Sequence, residues 1–186
     1  MEVLECIQSK RSVRKYKDRK IEEKTIQTLI ELGCKASTGC NLQPWGFVII
    51  QNKEEIDQLS RQIKSNLLQN LTKYPHFMQF KSSLENPDYH IFHHANQLLL
   101  IYGNRHSHYY REDCTLCAAN IMLAAHSMQI GTCWIGFAEY ELNTITFKQA
   151  HQVPEEFELV CPLTIGYEIG PLAPPQRKAP LIFSQS

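Results

Sequence analysis

The chain is 186 residues long, with 19 Lys and Arg against 19 Asp and Glu and an isoelectric point near 7.1, so it lacks the cationic excess that nucleic-acid binders usually carry. No apolar run approaches the ~18 residues of a membrane span, and the start MEVLECIQSK lacks the charged-then-apolar order of a signal peptide. A cytoplasmic protein is expected, one domain over residues 1–186, with neither nucleic acid nor membrane as a partner.

Val3, Leu4 and Ile7 share one helical face between Glu2 and Lys10, and the segment after Ile21 repeats that spacing with Ile26, Leu29, Ile30 and Gly33. Between these helices, KRSVRKY opens a stretch from Lys10 to Lys20 in which seven of eleven residues are Lys or Arg. Such a run is either a solvated face or the grip on an anion. A second polar cluster follows in STGCNLQPWGF, residues 37–47. Ser37, Thr38, Asn41 and Gln43 both donate and accept hydrogen bonds, which suits a polar heterocycle, whereas a phosphate cradle needs several glycines. An ordinary helix-to-strand loop is the competing reading.

Strands are predicted at 47–50, 97–103 and 159–167 from short β-rich apolar runs, and helices from Lys53 to Leu71, Glu112 to Gln129 and Glu141 to Gln149, with Gly131 as the cap that ends the second. Residues 73–96 show neither period and are expected to form a mobile or partner-facing excursion. The tail, with four prolines in GPLAPPQRKAPLIFSQS, is expected to run extended as an arm over 171–186. The seven cysteines are an odd number scattered through apolar segments, so reduced thiols are expected. Cys114 and Cys117, with His106 and His108 upstream, have zinc-competent spacing, but the second cysteine runs into CAANIMLAAHSM, where small thiols read as core filler.

Four of these segments, taken in order, carry a resemblance. KRSVRKY is similar to the Arg-Arg-Ser-x-Arg-x-aromatic signature of the nitroreductase family, and STGCNLQPWGF resembles that family's Pro-Ser-x-x-Asn-x-Gln-Pro-Trp segment. GTCWIGF at 131–137 resembles its Gly-Thr-x-Trp-x-Gly turn, and IGYEIGPLAPPQRKAP its closing strand and basic tail. The resemblance implies an α+β fold around a mostly antiparallel sheet flanked by helices. It also implies an FMN-dependent NAD(P)H oxidoreductase and a homodimer with two flavins at the subunit interface. Lys10, Arg11 and Arg14 from the front and Arg177 and Lys178 from the tail would hold the FMN phosphate, since a charge-assisted hydrogen bond is roughly twice as strong as a neutral one. Ser12 would bond the ribityl chain or phosphate, Ser37, Thr38, Asn41 and Gln43 the ring or sugar, and a backbone N–H of Ile135 or Gly136 the ring nitrogen that accepts hydride. Trp45 and Trp134 read as core or as flavin contacts.

Three departures from the family pattern stand out. Lys10 replaces a common Arg and so offers a point charge in place of a planar fork, Ser37 replaces a usual Pro, and Ile135 fills a position that is acidic in some members. The flavin carries the redox chemistry, so no catalytic side chain is assigned. The resemblance implies ping-pong turnover between NADH or NADPH and a small acceptor such as a nitroaromatic or quinone. Phe77, Phe80, Tyr89 and Phe92 are expected to shape the acceptor pocket. A flavin-binding protein that stores or senses FMN without turnover is the alternative. Apolar or small residues on almost every face from Leu116 to Met128 point to burial on all sides and hence to a helix at the dimer interface, or else to one wrapped by its own chain.

Overall fold

A computed structural model describes residues 1–170 and 172–185; Pro171 and Ser186, at the two limits of the expected arm, lie outside the described residues. The sheet has four strands, β1 (Trp45–Ile50), β2 (Gln97–Asn104), β3 (Ile130–Trp134) and β4 (Phe157–Tyr167), in the order β1-β2-β4-β3 with every neighbouring pair antiparallel. The helices are α1 (Val3–Ser9), α2 (Glu23–Gly33), α3 (Lys53–Gln69), α4 (Lys81–Glu85), α5 (Tyr110–Ser127), α6 (Glu139–Leu142) and α7 (Ile145–Ala150). This is the α+β architecture that the resemblance implied.

The sheet is buried on both faces. On β2, Leu98, Leu100 and Tyr102 enter one core cluster with α3, while Leu99 and Ile101 enter another with α2 and α5, as the two-residue period of a strand requires. A bulge interrupts the pairing of β2 with β4: Ile101 faces Cys161 but Tyr102 faces Leu159. The extra residue, Val160, inverts the alternation along β4, which places Leu159 in the α3 cluster and Cys161, Leu163 and Ile165 in the α2–α5 cluster.

Several expectations need correction. Gly131 does not cap α5. Gln129 takes the left-handed position at the helix end (φ 60°), and Gly131 lies in β3, a strand not predicted, where a Cβ would sit 2.6 Å from Val13 Cγ2. The helix expected over Glu141–Gln149 is two short ones, because Thr144 Oγ1 accepts from Phe147 N (3.3 Å) and starts α7 anew. Residues 73–96 are packed against the core, with Leu84, Ile91, Phe92 and Ala95 fully buried and a 3₁₀ turn over Pro75–Phe80. Aromatic and aliphatic residues there lack a period because they drop into the α3 cluster from turns.

Helix α5 turns Asp113, Cys114, Cys117, Ala118, Ile121 and Ala125 into the core, whereas Leu116 stays 48% exposed and Ala119, Met122 and Leu123 are half-buried. Its own chain therefore covers one side only, so the helix is not wrapped by its own fold. Cys114, Cys117 and Cys161 are fully buried, and burial raises all three thiols, Cys114 to about 12. They are core residues, and no metal-binding cluster occurs among the described residues. Nor is any helix among them long and apolar enough to cross a membrane. The tail from residue 172 to 185 forms neither helix nor strand and is almost wholly exposed, Phe183 at 96%.

Candidate flavin site

The basic run is fastened to the sheet by its backbone. Val13 N donates to Thr132 O (2.9 Å), Lys17 N to Tyr167 O (2.8 Å) and Ile169 N to Lys15 O (3.1 Å). Tyr16 then inserts beneath the run, its hydroxyl bonded to Val13 O (2.6 Å) and Thr164 Oγ1 (2.7 Å). With Val13 and Tyr16 committed inward, Ser12 and Arg14 are left exposed.

Lys10, Ser12, Arg14 and the tail's Arg177 converge near Cys133. Burial lowers the Lys10 ammonium below its usual range, the Cys133 thiol opposes this, and the nearby positive charge of Arg177 adds to it. Burial likewise raises Cys133, against the pull of Arg14, Lys10 and a bond from Ser12. None of Lys10, Arg11, Arg14 and Arg177 has a carboxylate partner among the described residues. Arg11 is spent mainly on the end of α1, its Nη1 donating to Gln8 O (2.7 Å) and Lys10 O (2.9 Å), while its Nε is buried without a partner. Lys178 is exposed and makes no hydrogen bond or ion pair among the described residues.

The second cluster lies elsewhere. Cys40, Asn41 and Gln43 all have positive φ (51°, 56° and 48°), a conformation that Asn tolerates and most side chains do not. The loop is tied down by Gly39 N donating to Asp113 Oδ1 (3.1 Å), by Gln43 N on Thr38 Oγ1 (3.4 Å) and by Gln43 Nε2 on Asn41 Oδ1 (3.1 Å). Ser37, Asn41 and Gln43 are exposed. This loop abuts Asp113 at the start of α5, whereas Lys10 Nζ rests 3.4 Å from Met122 Sδ. Nine residues of helix separate these two points, about 14 Å at 1.5 Å per residue. Within one chain the cation cluster and the Asn/Gln loop therefore rest against different parts of α5.

At the end of β3, Ile135 N is already bonded to Pro162 O (2.9 Å), so of the two backbone donors expected only Gly136 remains. Its N–H has no partner among the described residues, and a Cβ there would meet nothing within 4 Å. Trp134 is 39% exposed, outside the core, whereas Trp45 packs against the α2–α5 cluster. Beside Gly136, Phe137 is met edge-on by Phe80 (5.2 Å) and Tyr89 (6.3 Å). Of the aromatics expected in the pocket, Phe92 is fully buried and Phe77 nearly so; they support this wall from the core. The sequence reading missed Phe137 and also His93, which sits within reach of the Arg14 charge. Neither belongs to a periodic pattern.

The turn carrying His93 is held by His90, whose Nδ1 accepts from Phe92 N (3.1 Å) and His94 N (3.3 Å) and whose Nε2 lies 3.0 Å from Asp57 Oδ1. An acceptor Nδ1 leaves the proton on Nε2, so the contact with Asp57 is a charge-assisted hydrogen bond from a neutral ring.

The chain belongs to the nitroreductase family, whose model matches residues 7–167. A nitroreductase with bound FMN from Bacteroides fragilis has the same fold, with a TM-score of 0.86, 24% identity and full coverage of both chains. Among sequence relatives, a provisionally named NADH dehydrogenase/NAD(P)H nitroreductase of Methanothermobacter thermautotrophicus is 25% identical over 167 residues, which is 90% of this chain and 78% of that one. The FMN reductase (NADPH) of Bacillus subtilis is 26% identical over 174 residues, covering 88% of this chain and 65% of its own length.

Burial depresses His90 to about 4, with the Asp57 bond opposing and His94 and Lys53 assisting. The unfolded chain, with His90 near 6.5, then binds more protons between these values. Stability is full above pH 6.5 and is lost as the pH falls through about 4. Urea midpoints at pH 7.5 and 4.5 should show this loss, and His90→Asn, which retains an acceptor for the two N–H groups but does not titrate, should show a shallower one. Equal slopes would remove His90 as the cause.

Proposed function

We propose that the chain, acting in the cytoplasm as one nitroreductase-like domain over residues 1–186, is an FMN-dependent NAD(P)H oxidoreductase that works on small acceptors such as nitroaromatics or quinones. One observation carries the reading: Lys10, Arg14 and Arg177 are gathered around Ser12 without a carboxylate among the described residues to neutralise them. A like-charged cluster of this kind is the complement of a dianion. The residues present fit FMN. Lys10, Ser12, Arg14 and Arg177, with Lys178 next to Arg177 in sequence and the unspent donors of Arg11, suit its phosphate. The Gly136 N–H suits a ring nitrogen, and the open space at its Cα lets a flat ring approach.

When bound, FMN supplies the hydride chemistry, accepting from NAD(P)H and giving to the acceptor in a ping-pong cycle. The protein orients and shields. The Gly136 N–H, aimed by the Ile135–Pro162 pairing beside it, would donate to the ring, and Phe80, Tyr89 and Phe137 would form an aromatic wall on one side of it. Trp134 lies at the same strand end, exposed enough to contact a ring. The expected outcome is a yellow protein that NAD(P)H bleaches in the absence of oxygen. A colourless protein that cannot be reconstituted with FMN would sink the proposal, and a flavin that stays oxidised in excess NAD(P)H would favour the storage reading.

Arg177→Ala should weaken FMN binding by ~10- to 150-fold, the equivalent of one charged hydrogen bond of about 1.5–3 kcal/mol. Fluorescence titration checks this, and an unchanged dissociation constant would move the phosphate away from the tail.

The separation of the two polar clusters along α5 supports a homodimer in which Ser37, Thr38, Asn41 and Gln43 of one chain complete the cation site of the other. The exposed Leu116 of α5 and the exposed Val3, Leu4 and Ile7 of α1 provide apolar surface for such a contact. Light scattering should give a dimer, and Ala119→Arg should dissociate it with parallel loss of flavin. A monomer of 21.5 kDa that retains FMN would refute the shared site.

A further inference from the structure

His93 and His94 are consecutive residues in the left-handed region, with φ of 52° and 56°. Non-glycine residues seldom hold that conformation unless their surroundings impose it. Here the surroundings do. Ile91, Phe92 and Ala95 are fully buried around the turn, Ile91 N donates to Ser60 Oγ (2.9 Å), and His90 Nδ1 accepts from Phe92 N and His94 N. The effect of this anchoring is to present the His93 side chain, half-buried, within reach of Arg14 of the cation cluster. Its ring meets the Tyr89 ring edge-on at 6.2 Å, and Tyr89 in turn reaches Phe137 beside Gly136. Neither ring nitrogen of His93 has a hydrogen-bond partner among the described residues, so a donor and an acceptor both stand unpaired between the phosphate end and the ring end of the site.

We propose that His93 is a ligand-binding residue of this site, an imidazole that takes up one proton from solvent as the anionic flavin enters and hydrogen-bonds it. The inference rests on the flavin reading above. The groups that bear on the ring electrically are Arg14 from the basic run and His94 from its own turn, with the neutral Tyr89 at its edge. Burial first, then Arg14, then His94 hold the free imidazole at about 4, so it is uncharged near neutral pH. An anion seated on Arg14 cancels that repulsion and adds an attraction of its own, and both changes favour the protonated ring. Binding and protonation are thus linked: the ring's contribution to affinity grows as the pH falls through the imidazole's value in the complex toward its value of about 4 in the free protein.

His93→Asn separates this role from a structural one, because Asn accepts the left-handed backbone while losing the titrating ring. The experiment is calorimetric titration of FMN into the protein at pH 6 in buffers of different ionisation heat, for wild type and variant, with the imidazole resonances of isotope-labelled histidine followed in parallel. Subtracting the two proteins cancels the proton that the FMN phosphate itself releases as it binds the cations as a dianion. The expected result is additional proton uptake by wild type, up to one per site, and a His93 resonance that moves to the protonated position on binding. FMN binding with equal uptake in both proteins and an unmoved His93 resonance overturns this inference alone. If wild type binds no FMN, the flavin reading fails and this inference fails with it. A variant whose urea midpoint collapses would assign His93 to the turn and overturn the proposal if the wild-type resonance is also silent.

Discussion

The site depends on how closely the basic run lies against the end of the sheet. Val13 is packed over Gly131 and Tyr16 over Gly166, so tightly that a Cβ on either glycine would fall within 2.8 Å of the side chain above it. Side chains on those strands would lift the run, and the backbone bonds from Val13, Lys17 and Ile169 would be lost with it. Held against the sheet in this way, the run buries Val13 and half-buries Tyr16, while Ser12, Arg14 and Lys15 face out. The cations are thus placed by backbone pairing and by two side chains, Val13 and Tyr16, packed on glycines.

That arrangement has an electrostatic consequence. Like charges kept together without counter-ions raise the free energy of the free protein, and the burial of Lys10 adds to the cost. The sheet that anchors the run bears it. An anion entering such a cluster relieves repulsion as well as forming bonds, which is why a modest number of cations can grip a phosphate ester. The same field reaches Cys133, Tyr89 and His93, and so couples the cation cluster to the aromatic residues beside it.

The α3 side of the sheet serves the site indirectly. The 3₁₀ turn at Pro75–Phe80 and the turn at His90–His94 both drop apolar residues into the core and leave a polar or aromatic neighbour at the rim: Phe77 in and Phe80 out, Phe92 in and His93 half out. A segment without periodicity is here a packed one. The bulge at Val160 has a comparable effect on β4, since it lets one strand contribute to both core clusters while its Pro162 carbonyl holds Ile135 and so aims the Gly136 N–H.

Most of the fold was legible in the sequence because α1, α2 and α3 repeat apolar residues at helical spacing, α5 is a long run of apolar and small residues and β1, β2 and β4 are short β-rich apolar runs, and the candidate cluster of Lys10, Ser12, Arg14 and Arg177 because charge density and motif order are local properties. The strand β3 escaped, since it is only five residues long and its Gly131 mimics a helix cap. The rest was decided in three dimensions. Whether Ile135 or Gly136 keeps a free N–H depends on a bond to Pro162, 27 positions away. That Arg11 caps α1 and Lys10 meets Arg177 follows from where chain segments land, as does the separation of the Asn/Gln loop from the cations by half the length of α5. His93 had no pattern to betray it, because its placement is the product of a strained turn, and backbone strain is set by the contacts that surround a residue and not by its neighbours in sequence.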